Sequence, residues 1–269
     1  PLANLLSMES KGMEFQLDYQ DRKNDWNWFI NANSSFSRNK VKDLAGTGPW
    51  IGGQTFTDVG LTYNLPYGYK SIRLFQSEEE IKNSASQGSN VFPGNIKYQD
   101  QNGDGQINGD DRVVLRDKPV IRYGLNVGFG WKNLDLSVNA YGALQNARYI
   151  SGYEGWAFFL TQNARPMHLD NWTTENPSAS YPSPSLQYTS NDSQYSDYWL
   201  RSANYLKIQN VQIGYNLSGG ILERMKISNL RAFLSGQNLA TITDYPGFDP
   251  EGSYYPLSRT YSFGINLKF

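Results

Sequence analysis

Ile121-Arg-Tyr-Gly-Leu-Asn-Val-Gly-Phe-Gly-Trp131-Lys-Asn-Leu134-Asp-Leu-Ser-Val-Asn-Ala140 is the stretch that decides the fold. Ile121, Tyr123, Leu125, Val127, Phe129 and Trp131 alternate with Arg122, Gly124, Asn126, Gly128 and Gly130. Successive side chains of a β-strand point to opposite sides, so this spacing places every large apolar group on one face. Leu134–Ala140 repeats the pattern with Asp135, Ser137 and Asn139 opposite. Only Lys132-Asn133 separates the two runs, which predicts a tight hairpin.

The same period recurs on either side. Met13, Phe15, Leu17 and Tyr19 oppose Glu14, Gln16 and Asp18. In Trp26–Phe36 one face carries Trp26, Trp28, Ile30, Ala32 and Phe36, the other Asn27, Asn31, Asn33 and Ser35. Val211–Leu217 alternates with Gln212, Gly214 and Asn216, and Leu230, Ala232 and Leu234 open a strand running to about Leu239. Tyr261, Phe263, Ile265, Leu267 and Phe269 close the chain, opposite Ser262, Gly264, Asn266 and Lys268. Seven strands are thus expected, with Gln54–Phe75 adding either two more or none.

A soluble β-sandwich alternates too, but its polar face meets bulk water and favours Lys, Glu and Thr. Here that face is rich in Asn, Ser, Gly and Gln, and aromatics (Trp26, Trp131, Tyr261, Phe269) mark the strand ends. An apolar band facing lipid, aromatic girdles and an uncharged, hydrated lumen predict this composition. No run approaches the roughly 18 apolar residues of a membrane-crossing helix. A barrel strand needs only about ten residues and turns every second one to lipid, so mean hydropathy can stay polar. The 24 basic and 25 acidic side chains balance, which gives no electrostatic footprint for nucleic acid. Absence of cysteine removes disulfides, thiolate metal sites and cysteine nucleophiles, and a lone His168 argues against a histidine metal cluster.

Turn lengths orient the strands. Barrels of this kind keep short turns on the periplasmic side and long loops outside. Lys132-Asn133, the link Asp21–Asp25 and the terminal Phe269 then fall on the periplasmic side, while the long Leu144–Ala203 connection is extracellular. First and last strands both run downward, so the strand count is odd. Single-chain bacterial barrels have an even count. The expectation is that this segment cannot close alone and begins inside an extracellular loop. Pro1-Leu2-Ala3-Asn4 shows no secretory signal pattern.

The sharpest local motif runs from Asp100 to Asp111. Asp100, Asn102 and Asp104 occupy positions 1, 3 and 5 of a calcium-loop template, Gly105 the sharp turn, Gln106 the backbone-carbonyl position and Asp111 position 12. Calcium held as a structural clip is the expected cofactor, with the shorter Asp111 standing where strong sites use Glu. The alternative is a Gly/Asn/Asp turn without metal. Ser77-Glu78-Glu79-Glu80 reads as a capped helix start rather than acid chemistry. His168 is expected on the surface, with no fixed spacing to suggest a Ser–His–Asp triad. Asn171-Trp-Thr173 and Asn191-Asp-Ser193 fit the glycosylation pattern, which bacterial proteins seldom use. Loop aromatics such as Trp50, Trp156, Trp172 and Tyr198 are expected mostly to pack the loops together.

Several segments resemble the SusC-like family of TonB-dependent transporters. They are Gly94–Tyr98 leading into Asp100–Asp111 and Arg112, Asn171-Trp172 with Glu175-Asn176-Pro177, Tyr205–Tyr215, Leu230–Leu239, Phe248-Asp249-Pro250-Glu251, and Tyr255–Gly264. Each is weak alone; the ordered set is specific and covers most of the chain from Gly52 onward. The resemblance implies an all-β, antiparallel transmembrane β-barrel segment, residues 1–269 forming the C-terminal strands of a barrel of about 22 strands. Residues 94–112 form a calcium-loop-like insertion within it. It further implies an N-terminal plug elsewhere in the protein, the outer membrane of a Gram-negative bacterium, and import of oligosaccharides or peptides. The implied partners are a SusD-like surface lipoprotein, TonB–ExbB–ExbD acting through an N-terminal region, the rest of the same barrel, and lipid. Gly264, Leu267 and Phe269 resemble the terminal signal read by the barrel-assembly machinery. No enzymatic step is expected, and no substrate-binding residue is assigned. Two competitors remain: a secreted calcium-dependent carbohydrate-binding or adhesive β-protein, and an outer-membrane hydrolase using His168 and loop carboxylates.

Overall fold

A computed structural model describes residues 6–184, 191–217, 222, 227–252, 255 and 257–269. Its main element is a seven-stranded sheet: Ser7–Lys23 (β1), Trp26–Asp43 (β2), Ile121–Trp131 (β3), Leu134–Leu144 (β4), Tyr205–Leu217 (β5), Asn229–Thr243 (β6) and Thr260–Lys268 (β7). Each strand neighbours the next in this order, so the sheet is an up-and-down meander with β1 and β7 at its open edges. The seven expected strands are all present. Gln54–Phe75 adds none to this sheet; it forms short strands in separate small sheets.

Register explains why alternation was so clean. Residues directly opposite across a ladder share a face, and the apolar positions match from strand to strand. Trp28, Phe129, Leu136, Ile213, Leu234 and Phe263 form one continuous row over six strands. Trp26, Trp131, Leu134, Tyr215, Ala232 and Ile265 form the next. Phe263 is 67% exposed and Leu234 57%, values that describe a face with no protein against it. An apolar surface this extensive is far larger than a soluble monomer leaves bare.

The turns are as short as the sequence implied. Asn24-Asp25 and Lys132-Asn133 each link two strands, with Asn24 and Lys132 in left-handed backbone. The Lys132 amide donates to the Asp25 carbonyl (2.8 Å), tying the two turns together. Most of the link expected over Ser218–Asn229 lies outside the described residues. A bulge interrupts β5 between Ile208 and Asn210; on β6 the partners jump from Ala240 to Gln237, with Asn238 at φ +53°. Asn tolerates that backbone better than other side chains do.

The chain forms two compact units. One comprises Gly12–Ser37, Pro119–Asn146 and Ala203–Phe269, which hold most of the sheet just described. The other comprises Pro1–Lys11, Arg38–Lys118 and Ala147–Ser202. Besides the ends of β1 and β2, its described residues form short strands, a helix Glu78–Lys82 and four 3-10 turns, around a core of Phe75, Ile96, Tyr98, Ile150 and Trp199. Asp192 organises that core: its carboxylate accepts from the Ile96 amide (2.8 Å) and Asn95 Nδ2 (2.6 Å), while its carbonyl accepts from Trp199 Nε1 (2.6 Å). Buried polar groups are tolerable when satisfied in this way. Trp172 and Tyr181 are buried too, in keeping with loop aromatics used for packing.

Candidate functional site

The side of the sheet opposite the apolar rows is mostly polar. A groove of about 630 Å³ opens on it, lined by Asn31, Asn33, Asn126, Asn139, Arg122 and Tyr141 among others. Glycines let neighbours cross this face. Phe29 lies where a Cβ on Gly128 would stand (1.9 Å), and Phe233 covers Gly264 (2.3 Å). Arg231 passes over Gly214 to pair with Asp135, Nε to Oδ1 at 3.0 Å.

A buried charge cluster stands at one end of the groove. Lys207 Nζ, on β5, donates to Asp249 Oδ1 (3.1 Å) and Oδ2 (3.0 Å) and pairs with Glu251. Tyr141 and Tyr205 hydroxyls donate to Glu251 Oε2 (2.9 Å) and Oε1 (2.8 Å). Burial raises the Glu251 carboxyl, but the hydrogen bonds from Lys207, Tyr205 and Tyr141 outweigh it and hold the group below its usual range. The cluster fastens the segment after β6 to the wall. Sequence reading missed it; its one visible signal was the single charged side chain on β5, Lys207.

The Asp100–Asp111 loop adopts successive side-chain-to-backbone turns. Asp100 accepts from Gly103 (2.7 Å) and Gly105 (2.9 Å), Asn102 from Asp104 (3.0 Å), and Asp104 from Gln106 (2.8 Å). Gly105 has φ +81°, the turn that the template reserves for glycine. Asp111 is fully buried; its oxygens accept from the Gln101 and Asn108 amides, both at 2.8 Å. Burial raises its pKa, yet those amides hold it below the usual carboxylate range. Among the described residues no three His, Asp or Glu side chains converge as a metal cage. The donors that remain for an ion are Asp100, Asn102, Asp104, the Gln106 carbonyl and whatever Asp111 can turn inward.

His168 is buried, not on the surface as expected. Nδ1 accepts from the Arg165 amide (2.9 Å) and Nε2 lies 3.0 Å from the Gly155 carbonyl, so a neutral ring satisfies both sides. Burial lowers its pKa, against the hydrogen bond to Gly155. With both nitrogens engaged by backbone, the ring holds a loop in shape. Ser77 caps the Glu78–Lys82 helix as anticipated, its oxygen accepting from the Glu80 amide (3.1 Å). Glu80 pairs with Arg73 and Lys97, which explains that carboxylate without acid chemistry. Asn191 is buried, with Nδ2 bonded to the Ile96 carbonyl. Leu267 and Phe269 are exposed, Leu267 on the apolar face, whereas Gly264 lies on the polar face beneath Phe233.

A wall with one bare apolar face, one amide-lined face and tight turns at one end is a segment of an antiparallel transmembrane β-barrel. Comparison with known proteins sharpens that class. No protein-family model matches the chain. TonB-dependent receptors P26 and P3 of Formosa agariphila are 29% and 26% identical over all of it, and TonB-dependent receptor SusC of Bacteroides thetaiotaomicron is 25% identical over 99%. The chain spans 27% to 30% of the length of these curated relatives. Among solved structures, the RagAB peptide transporter superposes with a TM-score of 0.76 at 23% identity, covering 98% of this chain and 29% of that one. The RagAB peptide importer in its closed-closed state gives 0.73 at 25% identity. The chain is therefore homologous, along its whole length, to SusC-like TonB-dependent receptors.

Proposed function

We propose that this chain is wall and loops of an outer-membrane importer that takes up oligosaccharides or peptides, driven by TonB–ExbB–ExbD and working with a SusD-like lipoprotein. The observation that carries this reading is the register of the sheet, which gathers large apolar side chains on one face and amides and hydroxyls on the other. Such a surface suits hydrocarbon outside and water inside. The bare ladders at β1 and β7 support a need for further strands, since lipid offers nothing to unpaired backbone groups. The apolar face weighs against a secreted, soluble carbohydrate-binding or adhesive protein. His168, engaged by backbone on both nitrogens, weighs against a hydrolase.

The test uses the full-length protein in liposomes with brominated acyl chains. Trp26 and Trp131 stack at 5.5 Å on the apolar face, and replacing both by Phe should measurably lower the lipid-quenchable tryptophan emission, with Trp28 on the same face left in place. Emission that ignores the brominated lipid in both proteins would end the barrel reading. Deletion of the gene should separately abolish growth on one glycan or peptide source.

We further propose that the Asp100–Asp111 loop binds calcium as a structural clip. Support comes from the glycine turn at Gly105 and from the even spacing of oxygen donors along the loop. Calorimetry on the full-length protein should show calcium binding that Asp104→Asn weakens at least tenfold, about 1.4 kcal/mol. Identical heats for both proteins would leave the loop a metal-free turn.

A further inference from the structure

Directly opposed residues on the polar face form a second kind of row. Asn31, Asn126, Asn139, Asn210 and Gln237 stand side by side on β2, β3, β4, β5 and β6. Thr260 extends the row on β7, and Asp18 on β1 receives a hydrogen bond from Asn31 Nδ2 (2.7 Å). Five consecutive strands thus present a carboxamide at the same rung, and three of the five line the 630 Å³ groove.

We propose that this row is a track for the transported substrate, recognising an uncharged chain dense in hydrogen-bonding groups: the hydroxyls of a neutral glycan or the backbone amides of an uncharged peptide. The proposal rests on the importer reading and deepens it. Neighbouring strands are about 4.8 Å apart, so the five amides cover roughly 19 Å. Barrel strands tilt by about 35–45°, so a row perpendicular to them climbs the wall like a ramp and gains about 12 Å of height.

The chemistry of the row itself selects the occupant. Lys207 is paired with Asp249 and Glu251, and Arg231 with Asp135, while Arg122 lines the groove and Asp18 stands at the end of the row. A carboxamide offers a donor and an acceptor without a field. Exchanging its water for a ligand hydroxyl or amide is nearly neutral in free energy. Each rung is then a shallow well resembling its neighbours, which suits a chain that must leave as readily as it arrives. A charged ligand would gain nothing from the carboxamides themselves and would lose hydration.

The chain contains no cysteine, so Asn139→Cys or Asn210→Cys gives this segment a unique thiol. In full-length transporter embedded in outer-membrane vesicles, N-ethylmaleimide should label both positions. Saturating maltohexaose, or an acetylated and amidated glycine–serine hexapeptide, should slow labelling by at least about fivefold, and the protecting probe identifies glycan or peptide. Leu136→Cys, on the apolar face, should respond to neither. Absence of labelling, meaning another part of the protein permanently covers the row, overturns the proposal; so does labelling unchanged by either probe. Failure of the importer reading would show earlier, as a wild-type protein absent from the outer-membrane fraction.

Discussion

Removing the Lys207 ammonium should release the segment that follows β6. The Lys207 side chain is 3% exposed and that of Asp249 7%, with Nζ 3.0 Å from the carboxylate. Deleting one partner of a buried pair costs about 3–5 kcal/mol, because the other charge stays behind in a poor solvent. The Glu251 side chain is 37% exposed, so water screens its share, and the lower figure of about 3 kcal/mol is the appropriate one. That energy is roughly a hundredfold change in the open population. Limited proteolysis of the full-length protein between residues 244 and 252 reads this population directly when opening is fast relative to cleavage. Lys207→Met should raise the cleavage rate about a hundredfold. Adding Asp249→Asn and Glu251→Gln should restore most of the protection, since the abandoned charges are then gone. Cleavage unchanged in Lys207→Met would refute the charge argument, and a triple variant as open as the single would show that shape, not charge, is at issue. The pH dependence follows from the lowered Glu251 pKa. Its contribution is complete above the ordinary value of 4.5 and is lost as pH falls through the lower folded value.

His168 has a lowered pKa, so its contribution is complete above the ordinary 6.5 and disappears as pH falls towards the folded value. Amide exchange in 155–170, corrected for intrinsic rate, should therefore quicken between pH 7.5 and 5.5 in the wild type but not in His168→Gln. The same acid response in both would assign it elsewhere. Gly142→Ala places a Cβ 2.2 Å from the Tyr205 carbonyl and 2.4 Å from the Tyr123 hydroxyl. Because one of those neighbours is backbone, the β4–β5 ladder must shift, at a cost of about 1–3 kcal/mol; an unaltered urea midpoint would contradict the packing. Phe269 is 83% exposed, so Phe269→Ala should leave the melting temperature of the assembled barrel alone while reducing its amount in the outer membrane. Equal amounts would count against a role in assembly.

Strands were legible in the sequence wherever a single parity held. Ile121–Trp131 was read to the residue because eleven ladder pairs to each neighbour keep it in phase. Alternation alone starts β5 at Val211, six residues late, because the bulge at Gln209 shifts the phase and moves Ile208 and Leu206 onto the apolar parity. Leu239 was taken as the end of β6 near Asn238, where the same bulge bends the partner. The loop unit was opaque for a different reason. Its determinants are single long-range contacts, Asp192 to Ile96 or Asp197 to Ser71 (2.7 Å), which leave no period in the chain. His168 was misplaced on the surface because nothing in the sequence reveals that two backbone groups stand ready to satisfy its ring. The Lys207 cluster joins residues some forty positions apart, again without a local trace.

The length of the apolar stripe is itself a measurement of the solvent. On β2 one parity reads Trp26, Trp28, Ile30, Ala32, Ser34, Phe36, and then, without a break in the strand, Arg38, Lys40, Lys42. On β1 the matching parity reads Tyr19, Leu17, Phe15, Met13, and then Lys11 and Glu9. Lys42 and Glu9 pair across the ladder at 3.0 Å where the apolar residues stop. Both strands continue through these points for several residues more. What changes is what the outer side chains meet: Arg38 pairs with Asp117 and Lys42 with Glu9, where the preceding residues of that parity are mostly apolar and bare. Eleven residues from Trp26 to Phe36 extend about 36 Å, and a tilt of about 40° reduces this to roughly 27 Å of depth. That is close to the apolar band of about 25 Å on outer-membrane barrels. A soluble sheet has no reason to change from Phe to Arg, Lys and Lys on one unbroken face, whereas a strand leaving hydrocarbon for water must.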